Sequence, residues 1–396
     1  MRVLFLSQRV PYPPNRGDKI TTWRLVERLA RKHVVEVVAF AHDEDDFEAA
    51  RTLTERGIAT EAIPIGSGLA QKLRALPKLV TGKPLTLGFY GSSALQRAVD
   101  IRAADADLAY AYSSSMGAFL LPHADLPWIM HMAELDSDKW KQYSKREPFP
   151  MSWVYARESR TLERFERRLV SAARTSVFCT PLEQRIFDQR MPGHPSTILR
   201  NGVDLTRFRP ARDRAEADHL VFVGVMDYLP NVDGCVWFVN EILPRIRARR
   251  PQVRLSIVGS KPTPEVEALG RAPGVTVTGF VDEPREWLER AAVSVAPLRI
   301  ARGIQNKVLE ALAMGLPTVG TTSATQGVEG TPGEHFVVAD EASAFADATV
   351  ELLEDPDRAA RLSAAARAFV EEHYDWETLL ETLDELARDH GAPPPR

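Results

Sequence analysis

Cysteine is scarce in this sequence, which has 396 residues and only two cysteines, Cys179 and Cys235. The two lie far apart and do not form the close pair that a zinc site needs. Their number excludes a disulfide-stapled secreted domain and fits a protein of a reducing compartment. Apolar content of 44% and charged content of 26% are ordinary for a globular protein. At this length, we expect about two domains.

Long apolar runs are also missing. No uninterrupted apolar stretch reaches the length that crosses a bilayer. The opening MRVLFLSQRVPYPP has an apolar run too short for the core of a signal peptide, and proline follows it. We therefore expect a cytoplasmic protein, and we leave open a peripheral position on the inner face of the cytoplasmic membrane.

The sequence has no excess of positive charge, since 50 Lys and Arg face 54 Asp and Glu, for a formal net charge of −4. This balance argues against a general nucleic-acid-binding protein. Local basic stretches remain. Residues 71–84 combine leucines with Lys72, Lys78 and Lys83. This composition suits either a membrane-facing surface or an ordinary amphipathic helix that Pro77 interrupts.

Short apolar strands alternate with helical patterns along the whole chain. One run begins with a strand at Val3–Leu6, and a second run restarts at His219. Such alternation predicts parallel sheets covered by helices, so the fold class is α/β with two doubly wound, Rossmann-like domains. We place the N-terminal domain at 1–208, the C-terminal domain at 209–372, and a last helix with a disordered tail at 373–396.

The segment from Pro297 to Thr321 predicts a strand end, a basic loop, a helix and another strand. Backbone N–H groups at the start of the helix, where the helix dipole also acts, can hold an anion. Lys307 adds a cation, and Glu310 shares its helical face. A carboxylate beside a phosphate site can accept from two vicinal hydroxyls, so the pattern suggests a nucleoside diphosphate with its ribose. The alternative is an ordinary amphipathic helix with a Lys307–Glu310 surface pair. The loop residues that would offer N–H groups are Gly303, Ile304, Gln305 and Asn306.

Three further residues follow predicted strands, where open α/β sheets bind ligands. Gly17 and Gly224 lack a side chain and would let the backbone approach a diphosphate. For Gly17 the alternative is a plain turn glycine. Lys261 is a second candidate cation, and its alternative is a solvated loop lysine.

A polar cluster follows the apolar strand that contains His131. His131 is a candidate catalytic contact at the reaction centre, or else a hydrogen-bonded core histidine. A metal site made of His131, Glu134 and Asp138 is a further possibility. Because their spacing is not a strong ligand pattern, we predict no metal.

The segment KVLEALAMGLPTV resembles the nucleotide-sugar site of family 4 retaining glycosyltransferases. The overlapping segment ARGIQNKVLEALAMG is similar to exosortase-associated exopolysaccharide sugar transferases. The resemblance implies a GT-B fold, with two Rossmann-like domains facing a cleft and a last helix that crosses back to the N-terminal domain. It implies that Glu310 binds the donor ribose and that Phe280 lies beside the base. Arg302 stands where the family usually has a glutamate facing the donor sugar, and it is a candidate catalytic cation.

The function that the resemblance implies is transfer of a sugar, with retention, from a UDP or GDP sugar to a glycan or polyprenyl-diphosphate-linked acceptor in exopolysaccharide biosynthesis. No other cofactor is expected, because Lys307 and Arg302 would neutralise the phosphates without a metal clamp. Two alternatives remain open. One is a nucleotide-sugar epimerase of the same fold, and the other is an inactive nucleotide-sugar-binding protein.

Overall fold

The computed structural model describes residues 1–145, 147–210, 216–301 and 303–391. The chain divides into two compact units. Unit 1 comprises Met1–Leu199 and the segment that begins at Leu380, and unit 2 comprises Arg200–Leu379. The division lies at Leu199, whereas the sequence analysis placed a domain boundary at 208. Residues between these positions belong to unit 2 because Val203 and Phe208 pack in its core.

Unit 1 is built on a seven-stranded parallel sheet with the strand order β3-β2-β1-β4-β5-β6-β7. The inner strands β1, β2, β4, β5 and β6 are largely buried and mostly apolar, which is typical of parallel sheets, whereas the edge strands β3 and β7 are partly exposed. The strands are β1 Arg2–Ser7, β2 Val34–Ala41, β3 Ala59–Pro64, β4 Leu108–Tyr112, β5 Trp128–Ala133, β6 Thr175–Phe178 and β7 Ser196–Ile198.

Helices connect these strands as right-handed crossovers require in parallel sheets. The last helix, α20, also belongs to unit 1, where its Asp384 accepts from the guanidinium of Arg28 at 2.8 Å. The helices are α1 Gly17–Ala30, α2 Glu44–Glu55, α3 Gly68–Ala75, α4 Lys78–Thr81, α5 Thr86–Phe89, α6 Ser93–Ala103, α7 Ser114–Gly117, α8 Asp136–Ser144, α9 Met151–Ala172, α10 Pro181–Arg190 and α20 Glu381–His390.

Unit 2 has a six-stranded parallel sheet with the order β10-β9-β8-β11-β12-β13. From β8 the chain adds β9 and β10 towards one edge of the sheet, and it then adds β11, β12 and β13 on the other side of β8. The crevice between the carboxyl ends of β8 and β11 is the switch point where such sheets bind ligands. The strands are β8 His219–Val223, β9 Arg254–Val258, β10 Val275–Val277, β11 Val293–Ala296, β12 Thr318–Gly320 and β13 Val337–Val338.

The helices of unit 2 cover both faces of its sheet. A π-helical segment, Phe238–Ile242, joins α11 to α12 where the sequence pattern predicts one continuous helix. The helices are α11 Leu229–Trp237, α12 Leu243–Arg249, α13 Pro264–Leu269, α14 Pro284–Arg290, α15 Asn306–Ala313, α16 Thr322–Thr325, α17 Ala342–Glu354, α18 Pro356–His373 and α19 Trp376–Leu379.

Two helical predictions need correction. The pattern over 342–373 predicts one helix, but α17 ends at Glu354 and Pro356 starts α18, because proline has no N–H for an interior position. The alternating charges of 157–174 predict a solvated helix, but Glu158 and Glu166 on α9 are buried. Glu158 accepts from the backbone of residues 85 and 86, so this carboxylate fixes a loop rather than facing water.

No described helix is long and apolar enough to cross a membrane.

Candidate functional site

The candidate site lies in unit 2, at the carboxyl ends of β8 and β11. These strands are neighbours at the switch point of the sheet. The helix that follows β8 is α11, and the helix that follows β11 is α15. Side chains at the amino ends of these two helices therefore meet, although they are far apart in the sequence.

Helix α15 presents Lys307 and Glu310 on the face opposite its core side. Its apolar positions, Val308, Leu309 and Leu312 among them, are buried against the sheet. Gly315, with φ +61°, follows the helix in a conformation that favours glycine. The side chain of Gln305 does not cap the amino end of α15. The first backbone N–H groups of α15 are therefore not capped by this side chain, and they are the donors that the sequence predicts for an anion.

Lys307 is held by α11 rather than by Glu310. Its Nζ donates to Oδ1 of Asn231 at 2.6 Å and lies 4.9 Å from the ring centroid of Phe222. The Nδ2 of Asn231 donates to the carbonyl oxygen of Val225 at 2.9 Å, which turns Oδ1 towards the lysine. Burial lowers the pKa of Lys307 to about 8, while the charge of Glu310 acts in the opposite direction. Lys307 is therefore a cation of fixed position that loses its proton more readily than an exposed lysine does.

Glu310 is partly buried, and its side-chain carboxylate has no hydrogen bond to any residue that the structure describes. Burial raises its pKa to about 7, and the positive charges of Arg207 and Lys307 oppose that rise. No ion pair joins it to Lys307 within the described residues, so the surface pair considered above does not form. A carboxylate in this state can accept two hydrogen bonds from a ligand.

Close backbone contacts shape the floor beside Lys307. A Cβ on Gly259 would lie 1.7 Å from the carbonyl oxygen of Gly224, and a Cβ on Gly224 would lie 2.6 Å from Nδ2 of Asn231. Both positions therefore require glycine. Gly224 is thus where the sequence predicts it, at the end of β8, and Gly259 is an addition that the sequence analysis did not single out.

Lys261 and Phe280 border the same edge of the sheet. Lys261 is exposed, with φ +56°, a left-handed conformation that lysine rarely adopts. Phe280 follows β10 and is 70% exposed. The hydroxyl of Thr278 donates to the carbonyl oxygen of Gly279 and accepts from the N–H of Gly259. This hydroxyl links the ends of β9 and β10.

The loop before α15 is only partly described. Gly303 has φ +63°. Its carbonyl oxygen lies so close to Gly327 that a Cβ added to Gly327 would be 2.1 Å from this oxygen. Ile304, Gln305 and Asn306 lead from it into α15. Arg302, the predicted catalytic cation, lies outside the described residues.

Gly17 and His131 belong to unit 1. Gly17 is the exposed first residue of α1. The neighbouring cations already have carboxylate partners, since Arg16 pairs with Asp18 and Lys19 pairs with Asp46, each at 2.7 Å. These pairs account for the charges that flank the glycine.

His131 has no exposed surface. Its Nδ1 lies 2.7 Å from the hydroxyl of Tyr110, and its Nε2 lies 3.6 Å from Sγ of Cys179. Burial lowers its pKa to about 3, so the ring is neutral. This is the arrangement of a hydrogen-bonded core histidine.

The possible metal ligands near His131 have other partners. Glu134 binds Lys139 at 2.7 Å, and Asp138 binds Arg190. Throughout the described part of the chain, no group of three or more His, Cys, Asp or Glu side chains is placed to hold a metal ion.

Asn231 and Phe222 are the site residues that the sequence analysis missed. Asn231 lies within α11 and binds Lys307 from there. The available signal was that Asn231 follows β8 in the chain, just as Lys307 follows β11. Only the strand order reveals that these two segments are neighbours.

Comparison with known families supports these domains. Residues 17–202 match the family described as "Glycosyl transferase 4-like domain", and residues 217–355 match the family described as "Glycosyl transferases group 1". The exosortase-associated subgroup is not among these findings.

Curated relatives match about half of the chain. A GDP-mannose-dependent monoacylated alpha-(1-6)-phosphatidylinositol monomannoside mannosyltransferase of Corynebacterium glutamicum is 28% identical, over 51% of this chain and 58% of that protein. The lipopolysaccharide core biosynthesis mannosyltransferase LpsB of Rhizobium meliloti is 26% identical, over 43% of this chain and 54% of that protein. The chain thus spans little more than half the length of these relatives.

Solved structures share the whole fold. Sucrose-phosphate synthase from Thermosynechococcus elongatus superposes with a TM-score of 0.73 at 18% identity, covering 98% of both chains. HepE of Anabaena, solved in complex with UDP-glucose, gives a TM-score of 0.72 at 15% identity, covering 98% of this chain and 100% of that one. Two glycosyltransferase family models thus match successive parts of the chain, and the chain has the GT-B fold of glycosyltransferases.

Proposed function

We propose that this protein transfers a sugar from a nucleoside-diphosphate donor to a glycan acceptor, with retention of anomeric configuration. One observation carries the proposal. At the switch point of unit 2, Asn231 holds the ammonium of Lys307 at 2.6 Å, and the carboxylate of Glu310 on the same face of α15 has no hydrogen bond to a described residue. A cation of fixed position next to a carboxylate that can accept hydrogen bonds suits a nucleoside diphosphate.

The donor is bound through its ribose and its phosphates. The two ribose hydroxyls donate to the Glu310 carboxylate, and their donation favours the ionised form of a group whose pKa is about 7. The diphosphate accepts from Lys307 and from the first N–H groups of α15. The close packing of Gly224 against Gly259 and Asn231 fixes the backbone beside Lys307, and Lys261 is the second cation of the site.

Catalysis in this proposal is electrostatic. The bond between the anomeric carbon and the diphosphate oxygen breaks, and the acceptor oxygen forms the new glycosidic bond as its proton passes to the departing diphosphate. Negative charge grows on the leaving diphosphate. Lys307 and the amino end of α15 stabilise that charge, because they are oriented before the reaction begins. The reaction needs no metal ion in this scheme, since these groups neutralise the phosphates.

The nucleoside diphosphate of the donor is UDP or GDP. The Corynebacterium glutamicum relative is named for GDP-mannose, and Anabaena HepE was solved with UDP-glucose. For the acceptor we propose a lipid-linked glycan, in exopolysaccharide biosynthesis. The names of the relatives, which include a phosphatidylinositol mannoside enzyme and a lipopolysaccharide core enzyme, support a lipid-linked acceptor.

The test is a donor screen on the full chain with lipid-linked glycan acceptors. We expect one nucleotide sugar to release its nucleoside diphosphate only when an acceptor is present, and NMR of the product to show the anomeric configuration of the donor. Inverted configuration would contradict retention. Epimerised donor formed without acceptor would contradict transfer and favour the epimerase alternative.

A further inference from the structure

An unusual apolar surface occurs on unit 1, in the segment after β3. On α3, the side chains of Leu69, Leu73 and Leu76 follow the spacing of one helical face, and they are 69%, 57% and 55% exposed. Within α3 only Ala75 is buried. A helix of a globular protein normally turns such a stripe towards the core. Here the apolar stripe faces outwards.

The next helix extends this surface. No residue of α4 is buried, and Val80 is 89% exposed. The guanidinium of Arg157, on α9, donates to the carbonyl oxygens of Lys78, the first residue of α4, and of Lys83, which follows α4. These bonds fix α4 beside the beginning of α9, so its exposure is not that of a detached loop.

The beginning of α9 adds aromatic side chains next to α4. Trp153 lies one helical turn before Arg157, on the same face, and is 53% exposed. Phe149, just before α9, is 82% exposed. We call these residues together the apolar face, consisting of Leu69, Leu73, Leu76, Val80, Phe149 and Trp153. Exposed apolar residues grouped on neighbouring segments in this way are typical of sites of interaction with a protein or a membrane.

The charges around the apolar face decide between these partners. No aspartate or glutamate occurs between Glu61 and Asp100. Lys72, Lys78 and Lys83 lie in this acid-free stretch, and none forms an ion pair with a described residue. Unpaired lysines around leucine, valine and tryptophan complement a surface that combines anionic headgroups with acyl chains.

We propose that the apolar face and its three lysines dock on a lipid bilayer that contains anionic lipids. The leucines, Val80 and the two aromatic side chains enter the boundary between headgroups and acyl chains. The lysines stay at the level of the headgroups, with their stems along the apolar residues. The docking is independent of the proposed sugar transfer, because it needs neither donor nor acceptor.

Sedimentation of the full chain with vesicles tests the docking directly. We expect binding to vesicles of phosphatidylcholine mixed with phosphatidylglycerol, and much weaker binding to phosphatidylcholine alone. Each lysine near an anionic bilayer contributes about a fivefold gain in partitioning. Replacing Lys72, Lys78 and Lys83 with glutamine should therefore weaken binding at least tenfold. The triple change Leu73→Ser, Leu76→Ser and Val80→Ser should abolish it.

Matched controls lie elsewhere on the surface. Ile101, on α6, is 73% exposed and lies outside the apolar face, so Ile101→Ser should bind as the wild type does. Arg271→Gln, in unit 2, removes an exposed charge and should also leave binding unchanged. Thermal unfolding midpoints check that every variant is folded, and exposed substitutions should shift them little.

A second readout locates the contact. Trp153 is the only tryptophan among the exposed large apolar side chains of the described residues. Brominated lipid should therefore quench its emission, and Trp153→Phe should remove the quenching. Equal binding to anionic and neutral vesicles, or unchanged binding by both triple variants, would overturn the proposal. So would light scattering that shows a dimer which the serine triple variant loses, because the apolar face would then bind a second copy of the chain.

Discussion

Replacing Asn231 with leucine should lower the pKa of Lys307 and shift the pH dependence of nucleotide binding. The Oδ1 atom of Asn231 is the hydrogen-bond acceptor for Nζ, at 2.6 Å, and leucine offers no acceptor of similar shape. The ammonium would then be buried beside the ring of Phe222 and the thiol of Cys235, which burial keeps neutral by raising its pKa to about 12. The charged form of Lys307 would lose its main polar support.

The size of the shift follows from the lost bond. A hydrogen bond to a charged group contributes about 1.5–3 kcal/mol. At about 1.4 kcal/mol per pKa unit, its loss lowers the pKa by roughly one to two units. Starting from about 8, the pKa of Lys307 in the variant should be about 6 to 7. Near pH 7.5 most wild-type molecules would carry the charge and most variant molecules would not, so affinity for a nucleoside diphosphate should fall on the order of tenfold.

Calorimetry of UDP and GDP binding, repeated from about pH 6 to about pH 9, measures this shift. Because the protonated lysine binds the phosphates, affinity should decline as the pH rises through the pKa of Lys307. That decline should begin one to two pH units lower, by the reasoning above, in Asn231→Leu. Asn240→Leu, which changes an exposed asparagine of the π-helical segment, is the control. If a folded Asn231→Leu variant declines at the same pH as the wild type, the reasoning is refuted.

Three other predictions concern the loops and the phosphates. Gly259→Ala should destabilise unit 2 and weaken nucleotide binding, since its Cβ would lie 1.7 Å from the carbonyl oxygen of Gly224. Gly333→Ala, with φ +84° but nothing within 4 Å of the added Cβ, should cost only the backbone strain, about 1–2 kcal/mol, and denaturant unfolding compares the two. Arg302→Gln should weaken binding of a nucleoside diphosphate that carries no sugar; equal affinity would rule out a phosphate role, and loss of a uronic-acid donor alone would favour a sugar-facing one. Sugar transfer should continue in the presence of a metal chelator, and complete inhibition that magnesium reverses would contradict the metal-free scheme.

The strands were predictable because they are buried on both faces. The apolar runs of β4 and β11 coincide with the strands Leu108–Tyr112 and Val293–Ala296, since few other structures accommodate such runs between turn residues. Helix ends were less predictable. The interruption at Phe238–Ile242 was not predictable, because the buried positions Cys235, Phe238, Ile242 and Ile246 keep the spacing of three and four residues that an α-helix has.

The site was predictable only where one segment contained it. Lys307 and Glu310 lie three positions apart on one helix, so their shared face follows from helical geometry. Asn231 binds Lys307 from another helix, and this contact depends on β8 and β11 being neighbours in the sheet. His131 illustrates the opposite case. Its position near a strand end allowed a catalytic role, but Tyr110 and Cys179 enclose the ring from adjacent strands.

The central claim is that Glu310 accepts the ribose of a nucleoside diphosphate that Lys307 holds by its phosphates. Titration calorimetry of Glu310→Gln with UDP and GDP tests it most directly, with Glu372→Gln on α18, whose side chain is 75% exposed, as the control. Glutamine keeps the shape of the side chain but replaces one charged acceptor oxygen with a donor. The loss of one charge-assisted bond and of the charge behind the other should cost on the order of 2–4 kcal/mol for the nucleotide that the wild type binds, and nothing in the control. Equal affinity of Glu310→Gln and wild type for that nucleotide would contradict the account.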